Sequence, residues 1–465
     1  MRLTRRQVLA GAAASGLGAT ALYELVDRLT ASRPVRRGDG LMHAEQHLLD
    51  GMTVVVDQGV EVLMPPLHHA VVTARVVADD LAAAQRELEE ALVELEHRYT
   101  PTPAGLGVTV GWGLPYFRRH VPRQADVHLP IDRRASRTKH HVVHALTHAM
   151  LFPSDPPETI LEENDVAVLL RSDVREHVED AERTLFDGSR ILRVTSIRRG
   201  FVGSDFRPGP SLAKRMAQKA GVDGADLIPD DAEMFLGFTS TQRAALGPSR
   251  IANFETLGFV DLGPRDYFRG GTHMHVSHVF EDLAAWYLTF DFKERVETAF
   301  RPGLAVKAGT VTVSRDAEKV SSTNRVRRDF GRDGRIGHSS AIQTTSRLDR
   351  DVVAEDGIVY RRGTAIPLRA DFNTLDNPFA WSAAPVRDAM QETPAAGIHF
   401  VSFNPTSDDF HRNRLAMDGV LPDGTRLPLA ASSRLQGFNA VLRATHRQNF
   451  LVPPRRFRSF PLAEL

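Results

Sequence analysis

The 465-residue chain contains no cysteine. Disulfides, thiolate nucleophiles, iron–sulfur clusters and Cys-ligated zinc are therefore excluded. Histidine, with 19 copies, is the remaining soft ligand. Net charge is missing too. Lys+Arg and Asp+Glu are each 58, so no broad field draws the chain to nucleic acid or to an anionic membrane. The uncharged run from Val8 to Leu22 is short and rich in Ala and Gly, a poor bilayer span. There is no phosphate loop, Rossmann glycine fingerprint or nucleophile elbow, and no short-period repeat. What is present is an ordinary globular composition, 42% hydrophobic and 25% charged, in a chain long enough for two or three domains.

The N-terminus reads "MRLTRRQVLAGAAASGLGATALYELVDRL". Thr4-Arg5-Arg6-Gln7-Val8-Leu9 resembles a twin-arginine export signal, and Ala19-Thr20-Ala21 offers a small-x-small cleavage site. Residues 1–35 then form a signal and linker, and the protein is expected in the periplasm or outside the cell. A basic amphipathic N-terminal helix is the other reading of the same residues. The twin-arginine route carries folded proteins, often with a cofactor already loaded.

Beyond Gly40, Ala70 to Val77 reads as a strand rich in Val. Asp79-Asp80 can cap a helix in which Leu81, Leu88, Leu92 and Leu95 recur at helical spacing. "GLGVTVGWGLPYF" supplies a second strand, Val166 to Leu170 a third, followed by a helix after Ser172-Asp173, and "SRILRVTSIRRGFVG" a fourth. The order β-α-β … β-α-β with amphipathic helices fits a ferredoxin-like α+β unit with an antiparallel sheet. Gly203 to Asp230, rich in Gly, Pro and Asp, reads as a linker. The pattern then partly repeats. "GGTHMHVSHVFEDLAAWYLTF" is a strand and a helix capped near Glu281-Asp282, and "GIHFVSFNPTSDDFHRNRLAM" is a strand stopped by Pro405 and then a capped helix. "RQNFLVPPRRFRSFPL" reads as a packed tail. The expected architecture is α+β, two tandem ferredoxin-like domains over 40–205 and 225–465.

Histidines cluster. In "KHHVVHALTHAML", His140, His144 and His148 stand at i, i+4 and i+8, one face of a helix, with His141 adjacent. His273 and His275 point to one side of a strand and His278 to the other. An i, i+4 pair can bind zinc or copper, but no glutamate completes a His-Glu-x-x-His hydrolytic site. A solvated helix is the plainer reading.

Several stretches together resemble the dye-decolorizing peroxidase family, haem enzymes built from two ferredoxin-like domains. They are "GVTVGWGLPYF", "DVAVLLRSD", "RGGTHMHVSHVFEDLAAWY", "IVYRRGTAI" and "GIHFVSFNPTSDDF", in the family's order over most of residues 60 to 411. The resemblance implies haem b as cofactor, and hydrogen peroxide with a reducing substrate as reactants. It implies neither nucleic acid nor a stable membrane span, and is compatible with an oligomer. In "GHSSAIQTTSR", His338 stands where the family carries its proximal haem ligand, so His338 is the implied iron ligand, with Asp408 or Asp409 accepting its second N–H. Arg361, first arginine of the RRG, matches the distal arginine, whose guanidinium stabilises charge as the O–O bond splits.

One departure is sharp. The family's GxxDG motif carries an aspartate that shuttles the proton of peroxide. Here the matching stretch is "MFLGFTSTQ", with Ser240 in place of the aspartate and Thr241 in place of the second glycine. Loss of a positioned base typically costs about 10²–10⁴-fold. Asp261 in "GFVDLG" is the alternative donor, although it lies close to the next strand. The expectation is a haem protein with weak or altered peroxidase activity. The alternatives are an exported haem- or metal-binding protein without peroxide chemistry, and a cofactor-free pseudoenzyme.

Overall fold

The computed structural model describes residues 45–57, 59–203, 209–239, 258–263, 266–313, 321–353, 359–375, 394–429 and 437–465. The N-terminal export segment and Ser240 lie outside these residues. Among the described residues no helix is long and apolar enough to cross a membrane.

In the first half, β1 (His68–Val76) leads into α1 (Leu81–Arg98), then β2 (Gly107–Gly113), β3 (Val166–Ser172), α2 (Arg175–Phe186) and β4 (Leu192–Phe201). Asp80 caps α1 by accepting from the Ala83 N–H at 3.0 Å. The leucines at helical spacing turn inward: Leu88, Leu92 and Leu95 are buried with Ala84. In the second half, β5 (Thr272–Glu281) leads into α3 (Leu283–Thr289). Then come α4 (His338–Ser346), β6 (Phe372–Thr374), β7 (Gly397–Asn404), α5 (Ser407–Met417) and β8 (Leu442–Val452). Asp282 caps α3, accepting from the Ala285 N–H at 2.9 Å, and Glu281 is the last residue of the strand.

The strands form an α+β fold on one ten-stranded sheet. Within it, β4-β1-β3-β2 and β8-β5-β7-β6 each run in the spatial order fourth, first, third, second, all antiparallel. Two short seams join the groups: Asn373 pairs with Phe201, and Phe450 and Leu451 pair with Gly113 and Trp112. The sheet is buried on both faces of the first group, which is why Val166 to Leu170 reads as a continuous apolar run. Val166, Val168 and Leu170 pack with the leucines of α1, while Ala167 and Leu169 meet Met274, Val276, Phe403 and Phe450 of the second half.

Three expectations change. The stretch read as a linker contains an α-helix, Leu212–Lys219, capped by Ser211. Its Leu212, Ala213 and Ala217 bury against a cluster with Phe235, Leu283 and Trp286, so its apolar face outweighs the Gly and Pro around it. The stretch read as a C-terminal tail begins inside β8, which pairs with β5 along its length. Only the residues beyond Val452 form a tail, and they pack on the first half: the Trp112 indole donates to the Arg458 carbonyl at 2.8 Å, and Tyr116 donates to that of Pro461 at 3.0 Å. Third, His140, His144 and His148 do not share a helix face. The helix Arg133–Lys139 ends at His140, which is left-handed at φ 57°. The chain beyond is non-helical, and His144 bridges Ile131.

Candidate functional site

The outer face of the second strand group forms the floor of a cavity of about 760 Å³. Strand alternation sets the floor. Ser277, Val279 and Glu281 of β5 point into it, beside Phe400 and Ile398 of β7 and Ala444 and Leu442 of β8, which are their register partners. Two helices make a wall. His338, Ser339, Ile342, Gln343 and Ser346 present one face of α4, and Phe410, Asn413, Arg414 and Met417 one face of α5. The spacing in both is that of a single helical face. This volume falls within the range of small-molecule and cofactor sites.

His338 is the first residue of α4, after Gly337 as N-cap. A Cβ on Gly337 would lie 2.3 Å from the Phe300 carbonyl oxygen, so only glycine lets the helix start this close to the preceding backbone. The His338 ring packs on Phe438 at 4.6 Å between centroids. It keeps accessible surface because it faces the cavity, and is otherwise enclosed. Burial, and then the cations Arg369 and Arg414, push its pKa down to about 3. The imidazole is therefore neutral, the state that ligates metal. Its Nδ1 is buried without a partner among the described residues.

The two carboxylates expected to accept from His338 are used elsewhere. Asp409 accepts from Arg134 at 2.8 Å and from the Thr406 N–H at 3.2 Å, and Asp408 accepts from Arg134 at 3.3 Å. Both lie in the first turn of α5, where the N-cap Thr406 draws Asp409 into a capping box and Arg134 draws the pair toward the first half. Arg361 is likewise outside the cavity. Its side chain is 76% exposed and paired with Asp351 at 2.6 Å, because the short ribbon of Val352–Val353 and Val359–Tyr360 brings the two together. The cations that do line the cavity are Arg171, Arg347, Arg369, Arg414 and Arg447. Arg414 and Arg447 both engage the buried Asp155, at 3.2 and 2.5 Å, and Arg414 also holds Asp418 at 2.9 Å. Burial, and then Arg414, push Arg447 down to about 10. Asp261, the alternative proton donor, is exposed in a two-residue strand paired with Ile131–Asp132 and does not line the cavity.

His47 and His69 also line the cavity, whereas His275 and His278 of β5 are held by neighbours. His275 stacks on Phe410 with centroids 3.4 Å apart and bonds Asn449 at 2.7 Å. His278, on the other face, bonds Thr445 at 2.6 Å. Among the described residues no group of three or more His, Asp or Glu is arranged to hold a metal ion. Among the cavity residues that sequence reasoning missed is an acid on the floor. Glu281 is 3% exposed, and burial, followed by Asp371, pushes its carboxyl up to about 8. The signal was available: the alternation that places Ser277 on the floor places Glu281 there too, although its neighbour Asp282 made it look like part of a helix cap.

The fold is shared with solved structures. A DyP-type peroxidase from Cellulomonas bogoriensis superposes with a TM-score of 0.50 at 17% identity, over 90% of this chain and 95% of that one. A DypB variant from Rhodococcus jostii RHA1, in complex with heme, gives a TM-score of 0.49 at 14% identity, over 85% and 95%. The encapsulated DyP-type peroxidase from Mycobacterium smegmatis gives 0.49 at 12% identity, over 85% and 95%. At these identities the likeness is one of α+β fold alone. No curated protein matches the chain. A family model does, over residues 66–454, and this protein belongs to the family it describes, a family of unknown function (DUF7405).

Proposed function

We propose that the protein binds haem b in the cavity through His338 and that its peroxidase chemistry is weak or altered. The observation that carries this reading is His338 itself, a neutral imidazole in the cavity wall. The rest of the lining suits the same group. Phe400, Phe410, Ile342 and Ile398 offer apolar faces to a porphyrin, and Arg347 and Arg369 offer cations to its propionates. When bound, haem supplies peroxide and one-electron chemistry at its iron. The chain's part is to hold it, shield it and supply protons. The two carboxylates of α5 are engaged with Arg134 and Thr406 rather than with His338. The imidazole then lacks the partner that raises ligand basicity, which favours an altered redox balance. In sequence, Ser240 replaces the distal aspartate, and a serine hydroxyl is a poor proton shuttle.

The shared fold supports the wider architecture of two tandem ferredoxin-like domains, over about 40–205 and 225–465, with the closing tail returning to the first. The Thr4–Leu9 motif supports export by the twin-arginine route to the periplasm or beyond, and hydrogen peroxide and a reducing substrate are the reactants this reading implies. The test is a visible absorption spectrum of protein purified with haem supplied. A Soret band is expected, and His338→Ala abolishes it or shifts it strongly. A variant with the wild-type spectrum removes His338 from the site, and a wild type without the band leaves a cofactor-free pseudoenzyme.

A further inference from the structure

The cavity floor holds a carboxylic acid for which the haem reading assigns no task. Glu281 ends β5, where its N–H donates to the Ala396 carbonyl at 3.0 Å and its register partner is Leu442 of β8. Its backbone is therefore held on both sides, and the strand's alternation aims the side chain at the cavity. The residue is 3% exposed, and its Oε2 has no hydrogen-bond partner among the described residues. A carboxyl at such a place is a poor packing element. Burying it without partners is costly, and an apolar side chain of similar length would fit at less cost. The titratable and charged groups around it are Asp371, which follows the Leu368–Arg369 strand, and Tyr287 on α3, whose hydroxyl donates to the Phe235 carbonyl. Asp371 also lines the cavity and stands 3.8 Å from Arg369, and Arg369 is the cation that acts most strongly on His338. Glu281, Asp371, Arg369 and His338 thus border one enclosed space, the acid on its floor and the imidazole on its helical wall.

We propose that Glu281 is the proton-transfer residue of this cavity, taking the proton from the near oxygen of a bound hydroperoxide and returning it to the far oxygen. The proposal rests on the haem reading. The step balances: the O–O bond breaks, the far oxygen leaves as water or alcohol with the returned proton, and Glu281 ends as it began. Haem held by His338 would supply the two electrons. Burial keeps Glu281 largely protonated at neutral pH, and it becomes a base as the pH approaches about 8. Peroxide chemistry is then slow at neutral pH and rises toward alkaline pH, and the proton relay has moved from a loop to the sheet.

Two measurements on the full chain test this. The first needs no haem. Infrared difference spectra recorded below and above pH ~8 should show a buried carboxylic-acid C=O band that disappears on the alkaline side and is missing in Glu281→Gln. Identical difference spectra for wild type and variant overturn the assignment. In the second, haem-loaded Glu281→Gln should keep its Soret band while the peroxide-driven spectral change slows by about 10²–10⁴-fold and loses its rise with pH. Glu281→Asp should recover part of that rate, and it serves as the test variant if the glutamine form does not fold. A retained Soret band with a wild-type rate overturns the role of Glu281 alone. A wild type without any Soret band overturns the haem reading and this proposal with it.

Discussion

The two strand groups share one spatial order and differ in what covers their outer faces. In the first, α1 and α2 lie against the sheet. Leu88, Leu92 and Leu95 meet Val178 and Leu185 over Val166, Val168 and Leu170, and the space between helix and strand is filled. In the second, α3 is seven residues long and packs aside, with Trp286 against Phe235 and Leu212. The sheet is instead faced by α5, with α4 standing beside it, and neither reaches over Ser277, Val279 and Glu281. The lesson is that an uncovered stretch of sheet creates the site. The cavity exists because the short α3 packs aside and α4 and α5 stand at the edge, leaving over the second strand group a space that α1 and α2 fill over the first.

That contrast can be broken by mutation. Leu92→Ala removes a filled contact and should lower stability by about 2–5 kcal/mol in chemical denaturation. Ile342→Ala, facing the cavity, should cost roughly 1 kcal/mol, because a side chain already bordering empty space forfeits fewer contacts. Equal losses would mean that the cavity is not open in solution. Glu281 sharpens the contrast through pH. Its folded-state pKa is raised above the ordinary carboxyl value, so the folded chain binds this proton more tightly than the unfolded one. Its contribution is fully present below the ordinary carboxyl range and is lost as pH rises through about 8. The melting temperature of wild type relative to Glu281→Gln should therefore fall as pH is raised across that window. A flat difference would mean that the carboxyl is already ionised. The smallest effect is expected at the surface. Arg361→Leu should leave the melting temperature and any Soret band unchanged, and loss of the band would put Arg361 back in the site.

Strand and helix positions were legible because their causes are local. The continuous apolar run of Val166 to Leu170, helical leucine spacing in α1 and the caps Asp80 and Asp282 each act within a few residues. The histidine helix failed for the same reason read in reverse. Its four-residue spacing concerned only polar side chains, while Val143, Ala145 and Leu146 bury in a non-helical segment and the Asp132 N–H bonds the Val143 carbonyl. Periodicity of residues that do not need burial carries little force. Arg361 and the Asp408–Asp409 pair lie away from their expected places for another reason. Motif matching supplies an order along the chain, and each of these residues found a nearer partner, Asp351 or Arg134, that the order does not encode.

The sequence by itself determined the α+β succession and the absence of any cysteine chemistry, because composition and short-range pattern specify these directly; His338 stood out only through the resemblance of its surroundings to a known family. Tertiary structure alone decided that β8 completes the second strand group, that the last residues return to the first half, and that Glu281 and His338 face one cavity. Those facts depend on contacts between residues far apart in the chain. Whether a buried carboxyl is partnered, or an arginine reaches a pocket, is settled by what the fold brings within a few ångströms, which no local pattern records.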